Sequence, residues 1–182
     1  MSEEPPSKQQ KTGWEDYSLN CNGLLMKADE GSHFSALVDA PLTKMEGIGS
    51  MSEDVLSGLG CETIKDLATY KFFLLARALV VLAGTEEAGK RDVSSAMNID
   101  KAVDKEWEHK SLMEIAKAPL SALEGLTHKA NESFKAMHIH TIADLADWKF
   151  AKRAEAIVEA SKFEHTKTSQ ERKMEREMQK LN

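Results

Sequence analysis

Cysteine is nearly absent from this chain: Cys21 and Cys61 are the only two in 182 residues. Two are too few for a disulfide framework, and they form no Cys-x-x-Cys pair, so the expected setting is reducing and intracellular. The cytoplasm is the direct reading, with a mature organellar form left open. Aromatic residues make up only 6% of the chain, so the core must be built mainly from Leu, Ile, Val, Ala and Met. No apolar run approaches the length of a membrane span; the best, Phe72 to Ala83, contains Arg77, and no membrane insertion is expected. The opening Met-Ser-Glu-Glu-Pro-Pro lacks the plan of a signal or transit peptide. An excess of positive charge is missing as well. The 24 basic and 30 acidic residues give a net charge of -6, which disfavours nucleic acid as a partner. There is no phosphate-cradling Gly-rich loop ending in Lys-Ser/Thr, no His-Glu-x-x-His and no nucleophile elbow. The chain is therefore read as non-enzymatic, with no catalytic residues and no cofactor.

What is present is a repeat. Asn20–Ala83 aligns without a gap on Asn98–Ser161, with about 18 identities in about 64 positions, more than a chance gapless match gives. Ala40-Pro41-Leu42 answers Ala118-Pro119-Leu120, and Glu46-Gly47 answers Glu124-Gly125. Thr63-Ile64 and Asp66-Leu67-Ala68 answer Thr141-Ile142 and Asp144-Leu145-Ala146, and Lys71-Phe72 answers Lys149-Phe150. Apolar character persists where identity is lost, as at Met45/Leu123, Leu56/Phe134 and Leu79/Ile157. The offset exceeds a solenoid repeat, so each copy is expected to be a small domain. The expected organisation is a disordered leader over 1–18, a helical module over 19–84, a linker over 85–97, a second module over 98–161 and a charged helical extension over 162–182. Trp14 and Tyr17 in the leader either fold back on the first copy or form a docking motif.

Each copy reads as a string of short helices, and the class is all-α. Asn98 is a candidate cap for a helix carrying Ala102, Val103 and Trp107 inward. Ser111-Leu-Met-Glu114 is a capping box, and Thr43-Lys-Met-Glu46 and Ser121-Ala-Leu-Glu124 carry the same signal. A helix of about ten residues is predicted from near Lys129 to Met137. Thr63 and Thr141 are N-caps, with Asp66 and Asp144 favouring the positive helix end without fully closing a box. The last helix of the second copy places Phe150, Ala154, Ile157 and Val158 on one buried face. Its counterpart, Phe72–Ala83, is apolar on nearly every side and is expected at the centre, against the other copy.

Leu42-Thr-Lys-Met45-Glu-Gly47-Ile48-Gly49, followed by Leu59-Gly60-Cys61-Glu62-Thr63-Ile64-Lys65-Asp66-Leu67, resembles the tandem helix-hairpin-helix family of all-helical domains, over about 30 residues in each copy. The resemblance implies hairpin turns at Gly47, Ile48 and Gly49 and at Gly125, Leu126 and Thr127. The glycines permit positive φ and close approach, and Ile48 plugs the space between helices. Many members of that family bind DNA without sequence preference, through hairpin amides beside a cation. This chain departs from that pattern: Ser50, Met51, Ser52, Glu53 and Asp54 follow Gly49, and Thr127 replaces the second glycine, with His128 and Lys129 after it.

The expected function is a protein-interaction adaptor or a structural subunit of a larger assembly, with protein partners. Tyr70, Trp148, Met174 and Met178 are the candidate partner contacts, the methionines on a narrow stripe that ends at Leu181. The alternative is a sequence-nonspecific nucleic-acid binder using Lys129, Lys135, Lys167, Arg172, Lys173 and Arg176. His138 and His140, with His128 nearby, lack the further ligands of a metal site, and no metal is expected. Cys61 has no basic neighbour to activate it and is read as a small, half-buried residue, and Cys21 as core.

Overall fold

A computed structural model describes residues 21–92, 94 and 99–181 of the chain. It is all-α: among the described residues there is no strand, only isolated antiparallel bridges between turns. The first half carries α1 (Phe34–Leu37), α2 (Ser50–Gly58), α3 (Ile64–Ala68) and α4 (Lys71–Ala83). The second carries α5 (Leu112–Ala116), α6 (His128–Ala136), α7 (Ile142–Asp147) and α8 (Lys149–Ser161), and α9 (Ser169–Gln179) follows. The leader over 1–18, with Trp14 and Tyr17, and the candidate cap Asn98 lie outside the described residues.

Local chemistry sets most helix starts. Ser111 and Glu114 close a capping box at α5, and Thr168 and Glu171 close one at α9. At α3 and α7 the short aspartates also close the box, which the sequence reading did not expect of them. The Asp66 amide donates to the Thr63 hydroxyl at 3.1 Å, and the Thr63 amide donates back to the Asp66 carboxylate at 2.9 Å. Thr141 and Asp144 repeat this with the same two distances. A threonine cap in extended backbone brings its own N–H close enough for the shorter side chain to reach.

Two expected helix starts do not form. Thr43 and Ser121 sit inside single 3₁₀ turns, Leu42–Lys44 and Leu120–Ala122, so their signals cap nothing. The helix expected to carry Ala102, Val103 and Trp107 is two 3₁₀ turns, Asp100–Ala102 and Lys105–Trp107. Between them Val103 is extended and bridges Leu123, as Leu25 bridges Met45 in the first half, and that pairing competes with a helix.

The bonding pattern of the first half recurs in the second. The amides of Ile64 and Ile142 donate to the carbonyls of Ala40 and Ala118, both at 3.0 Å, and those of Cys61 and Ile139 donate to Leu56 and Phe134. The core follows the same register: Leu42 and Leu120, Met45 and Leu123, Ile64 and Ile142, and Leu67 and Leu145 are all buried.

The halves are interlocked. α4 packs on α5 and α7 of the second half, while α8 packs on α1 and α3 of the first. Each half thus buries its own long helix mainly against the other half, where the apolar character of Phe72–Ala83 pointed. Phe73, Ala76 and Leu79 on α4, and Ala151, Ala154 and Ile157 on α8, are fully buried by this exchange. Phe150 and Val158 are half-buried. Arg77 of α4 forms an ion pair with Glu155 of α8, at the equivalent position 78 residues on.

Two further carboxylates tie the halves together. Glu164, just past α8, accepts the amides of Phe34 and Ser35 at the start of α1, at 3.0 and 2.8 Å. Glu86, just past α4, accepts the amides of Leu112 and Met113 at the start of α5, at 3.0 and 2.9 Å. The segment after α4 is therefore tethered, with Arg91 also donating to the carbonyls of Lys110 and Glu108. Glu164 also explains the tail: the chain leaves helix after Ser161 to cap α1 and restarts at Thr168, so α9 is a separate helix.

Burial pushes the Glu164 carboxyl up, but the amides of Ser35 and Phe34, the Ser35 hydroxyl and His33 outweigh it and hold it below the ordinary range. At Asp66 the amide and hydroxyl of Thr63 hold the carboxyl down; at Asp144 burial is outweighed by the His140 amide, the Thr141 hydroxyl and the Thr141 amide. Groups depressed in the folded state stabilise it fully above their unfolded pKa, about 4 to 4.5, and lose that contribution as pH falls through the folded values. Thermal melts are expected to hold a plateau near neutrality and to drop below about pH 4.5. E164Q should flatten the acid limb; an unchanged limb would show that Glu164 carries none of it.

Candidate functional site

The two hairpin turns are the most nearly repeated surface feature. Met45–Ile48 is a tight turn in which the Ile48 amide donates to the Met45 carbonyl at 3.2 Å, and Gly47 has φ +94°. Leu123–Leu126 matches it, with a 3.0 Å bond and Gly125 at φ +93°. A positive φ at the third turn position is the case that asks for glycine. Ile48 and Leu126 are buried beneath the turns. Gly49 differs from the expectation of positive φ: it has φ -89° and caps α2 in ordinary extended backbone. Thr127 has φ -83° in the same place, and its hydroxyl accepts the Ala130 amide at 3.3 Å. The second glycine is therefore replaceable.

Each hairpin is covered by a Phe ring from the other half, and the second by a Lys as well. A Cβ on Gly47 would come within 3.1 Å of the Phe150 ring, and one on Gly125 within 3.6 Å of the Phe72 ring. Lys149 lies over the Phe150 ring at 4.8 Å and Lys71 over the Phe72 ring at 4.5 Å, the latter 3.8 Å from the position of a Cβ on Gly125. The sequence reading aligned these Lys-Phe pairs without giving them a role. Glu86, in an acidic pair with Glu87 that reads as a solvated face, and Glu164 stand at equivalent positions three residues beyond the aligned segments.

The other candidate residues are dispersed. Tyr70 and Trp148 precede α4 and α8 and are half-buried: the Tyr70 ring meets Phe72 edge-on at 5.4 Å and Phe134 at 6.3 Å, and Trp148 meets Phe150 at 5.6 Å. Burial also pushes the Tyr70 hydroxyl pKa up. Met174 and Met178 are 63% and 66% exposed on α9, which has no buried residue. Lys129, beside the second hairpin, is exposed, whereas Lys135 pairs with Glu132 and Lys167 with Glu175 on their own helical surfaces. Arg172 donates to Ser169, and Lys173 and Arg176 are exposed on α9. These tail cations are not on the hairpin elements.

Cys61 is fully buried, beyond the half-buried state expected, and burial followed by the charge of Asp66 pushes its thiol pKa up to about 12, so it stays protonated. Cys21 is exposed instead of core. Ile99, at the equivalent position, is itself 36% exposed. His138 and His140 are exposed on either side of buried Ile139, and among the described residues no group of three or more metal-ligating side chains forms.

His138 also ends α6 at φ 60°, where Gly60 takes φ +84° in the first half. A left-handed residue with a Cβ costs about 1–2 kcal/mol, partly offset because glycine loses more entropy on folding. His138→Gly is thus expected to stabilise the protein by about 0.5–1 kcal/mol. A urea titration checks it, and a loss of stability would show that the histidine ring makes a compensating contact.

The chain matches no protein-family model, no curated protein and no solved structure.

Proposed function

We propose that this chain is a non-enzymatic adaptor or structural subunit built from two copies of one helix-hairpin-helix-like module, each offering a related surface to a protein partner. The observation that carries this reading is the recurrence of one hairpin turn, met in both cases by a Phe ring from the opposite half. Exchange of α4 and α8 fixes the two hairpins in one body. Two like surfaces at a fixed separation suit a bridging role, since the second contact becomes intramolecular once the first has formed. Neighbouring residues differentiate the surfaces: exposed Met51 begins α2 where exposed Lys129 begins α6.

The test is affinity capture from native extract with the full chain, a form lacking α9, and the variants Met51→Asp and Lys129→Asp. Capture should survive loss of α9 and fall at least tenfold in one hairpin variant. Equal capture by the parent and both variants would remove the hairpins from the account.

Lys71 favours a second reading, a sequence-nonspecific nucleic-acid contact at the second hairpin. It brings a cation to the Gly125 turn beside His128 and Lys129, where α6 opens with its amide dipoles pointing outward. Retention on immobilised DNA should then fall with salt and fall further in Lys71→Ala/Lys129→Ala. Absence of retention at low salt excludes this reading.

A further inference from the structure

The outer face of α4 is apolar where the fold does not require it. Leu74 and Leu75, half-buried against the edge of the core, continue into Ala78, Val81 and Leu82 on the side away from Phe73, Ala76 and Leu79. Val81 is 65% exposed and Leu82 50%, and Ala78 is exposed. At the equivalent positions α8 carries Lys152, Arg153, Ala156, Glu159 and Ala160, a mostly polar face on which Lys152, Ala156 and Glu159 are exposed. Two helices in equivalent environments thus differ in the one feature that solvent should penalise, and the apolar stripe asks for a cover.

We propose that the cover is α4 of a second copy of this chain, packed antiparallel about a two-fold axis through Ala78. The spacing is self-complementary. Leu74 and Leu75 stand four and three positions before Ala78, and Val81 and Leu82 three and four after it. A two-fold interface must pair residue i with j and j with i. About this axis the leucines of one copy meet Val81 and Leu82 of the other, while the small Ala78 side chains let the helices approach. Charge agrees: the stripe residues are uncharged, and Arg77 at its edge is already paired with Glu155 of α8. Beside Leu75 a shallow hollow lined by Ile99, Asp100, Lys101 and Ala102 leaves room for an opposing Leu82, with the two charged side chains at its rim. α4 has 13 residues and is about 20 Å long, so the contact sits at the small end of specific interfaces and the dimer is weak.

The test needs only the purified full chain, so its failure leaves the adaptor reading untouched. Sedimentation equilibrium should show the average mass rising from 20.2 kDa towards twice that as concentration increases. Leu74→Lys/Leu75→Arg/Val81→Glu gives α4 the side chains that α8 already bears. It should weaken association at least tenfold with an unchanged helical spectrum. If that variant fails to fold, Ala78→Cys in a Cys21→Ser background should cross-link to itself under mild oxidation, and Thr85→Cys, seven positions from the axis, should not. A parent that stays monomeric throughout, a folded triple variant that still associates, or equal cross-linking at positions 78 and 85 would each overturn the proposal.

Discussion

Phe73→Ala is expected to cost about 4 kcal/mol, because the side chain is fully buried and truncation adds a cavity to the lost transfer energy. For a unit of this size that amounts to a fall in Tm of roughly 10 °C, read by circular dichroism. Where the damage appears is as informative as its size. Phe73 is on α4, which packs on α5 and α7, so a first-half substitution weakens the second half's core. Denaturant unfolding should remain a single transition at a lower midpoint. Separation into two transitions would mean that the halves unfold independently despite the exchange. The equivalent residue on α8 is Ala151, also fully buried.

Gly47→Ala is expected to cost about 3 kcal/mol and Gly125→Ala about half as much. Both glycines have a φ that a residue with a Cβ adopts only under strain of about 1–2 kcal/mol, which accounts for the shared part. The difference comes from the covering ring. A Cβ at 47 meets the Phe150 ring at 3.1 Å and forces it to shift, whereas at 125 the Phe72 ring stands at 3.6 Å, an ordinary contact. Denaturation midpoints of the two single variants check the inequality. Phe150→Leu combined with Gly47→Ala should cost less than the sum of the separate changes. Equal costs for the two glycines would show that Phe150 does not press on the turn.

Much of this architecture was legible because it rests on local chemistry written twice. Thr63 with Asp66 and Thr141 with Asp144 announce helix starts, and α6 falls within a residue of its expected span. The signals that failed did so for identifiable reasons. Thr43 and Ser121 have the spacing of a capping box, but Pro41 and Pro119 pair with Thr63 and Thr141 and hold the chain extended just before, leaving room for one 3₁₀ turn. The all-apolar character of Phe72–Ala83 points to contacts all round; α4 packs on α5 and α7 with one face, while Val81 and Leu82 on the other are exposed. At the hairpins the turn-forming glycines were readable from their spacing. Their covers were not, because Phe150 and Phe72 come from opposite halves and no local pattern records that crossing. Glu86 and Glu164 were hidden for the same reason: each caps a helix more than 25 residues from itself.

The crossing of the two long helices has a consequence for any fragment of this protein. Severed at Gly84, residues 21–84 would keep α1 and α3 but lose the helix that shields them, and α4 would be left projecting with nothing beneath it. Such a piece has one way to complete itself, which is to borrow the missing helix from a twin and lend its own in return. A half-length chain is therefore expected to live as an entwined pair or not to fold.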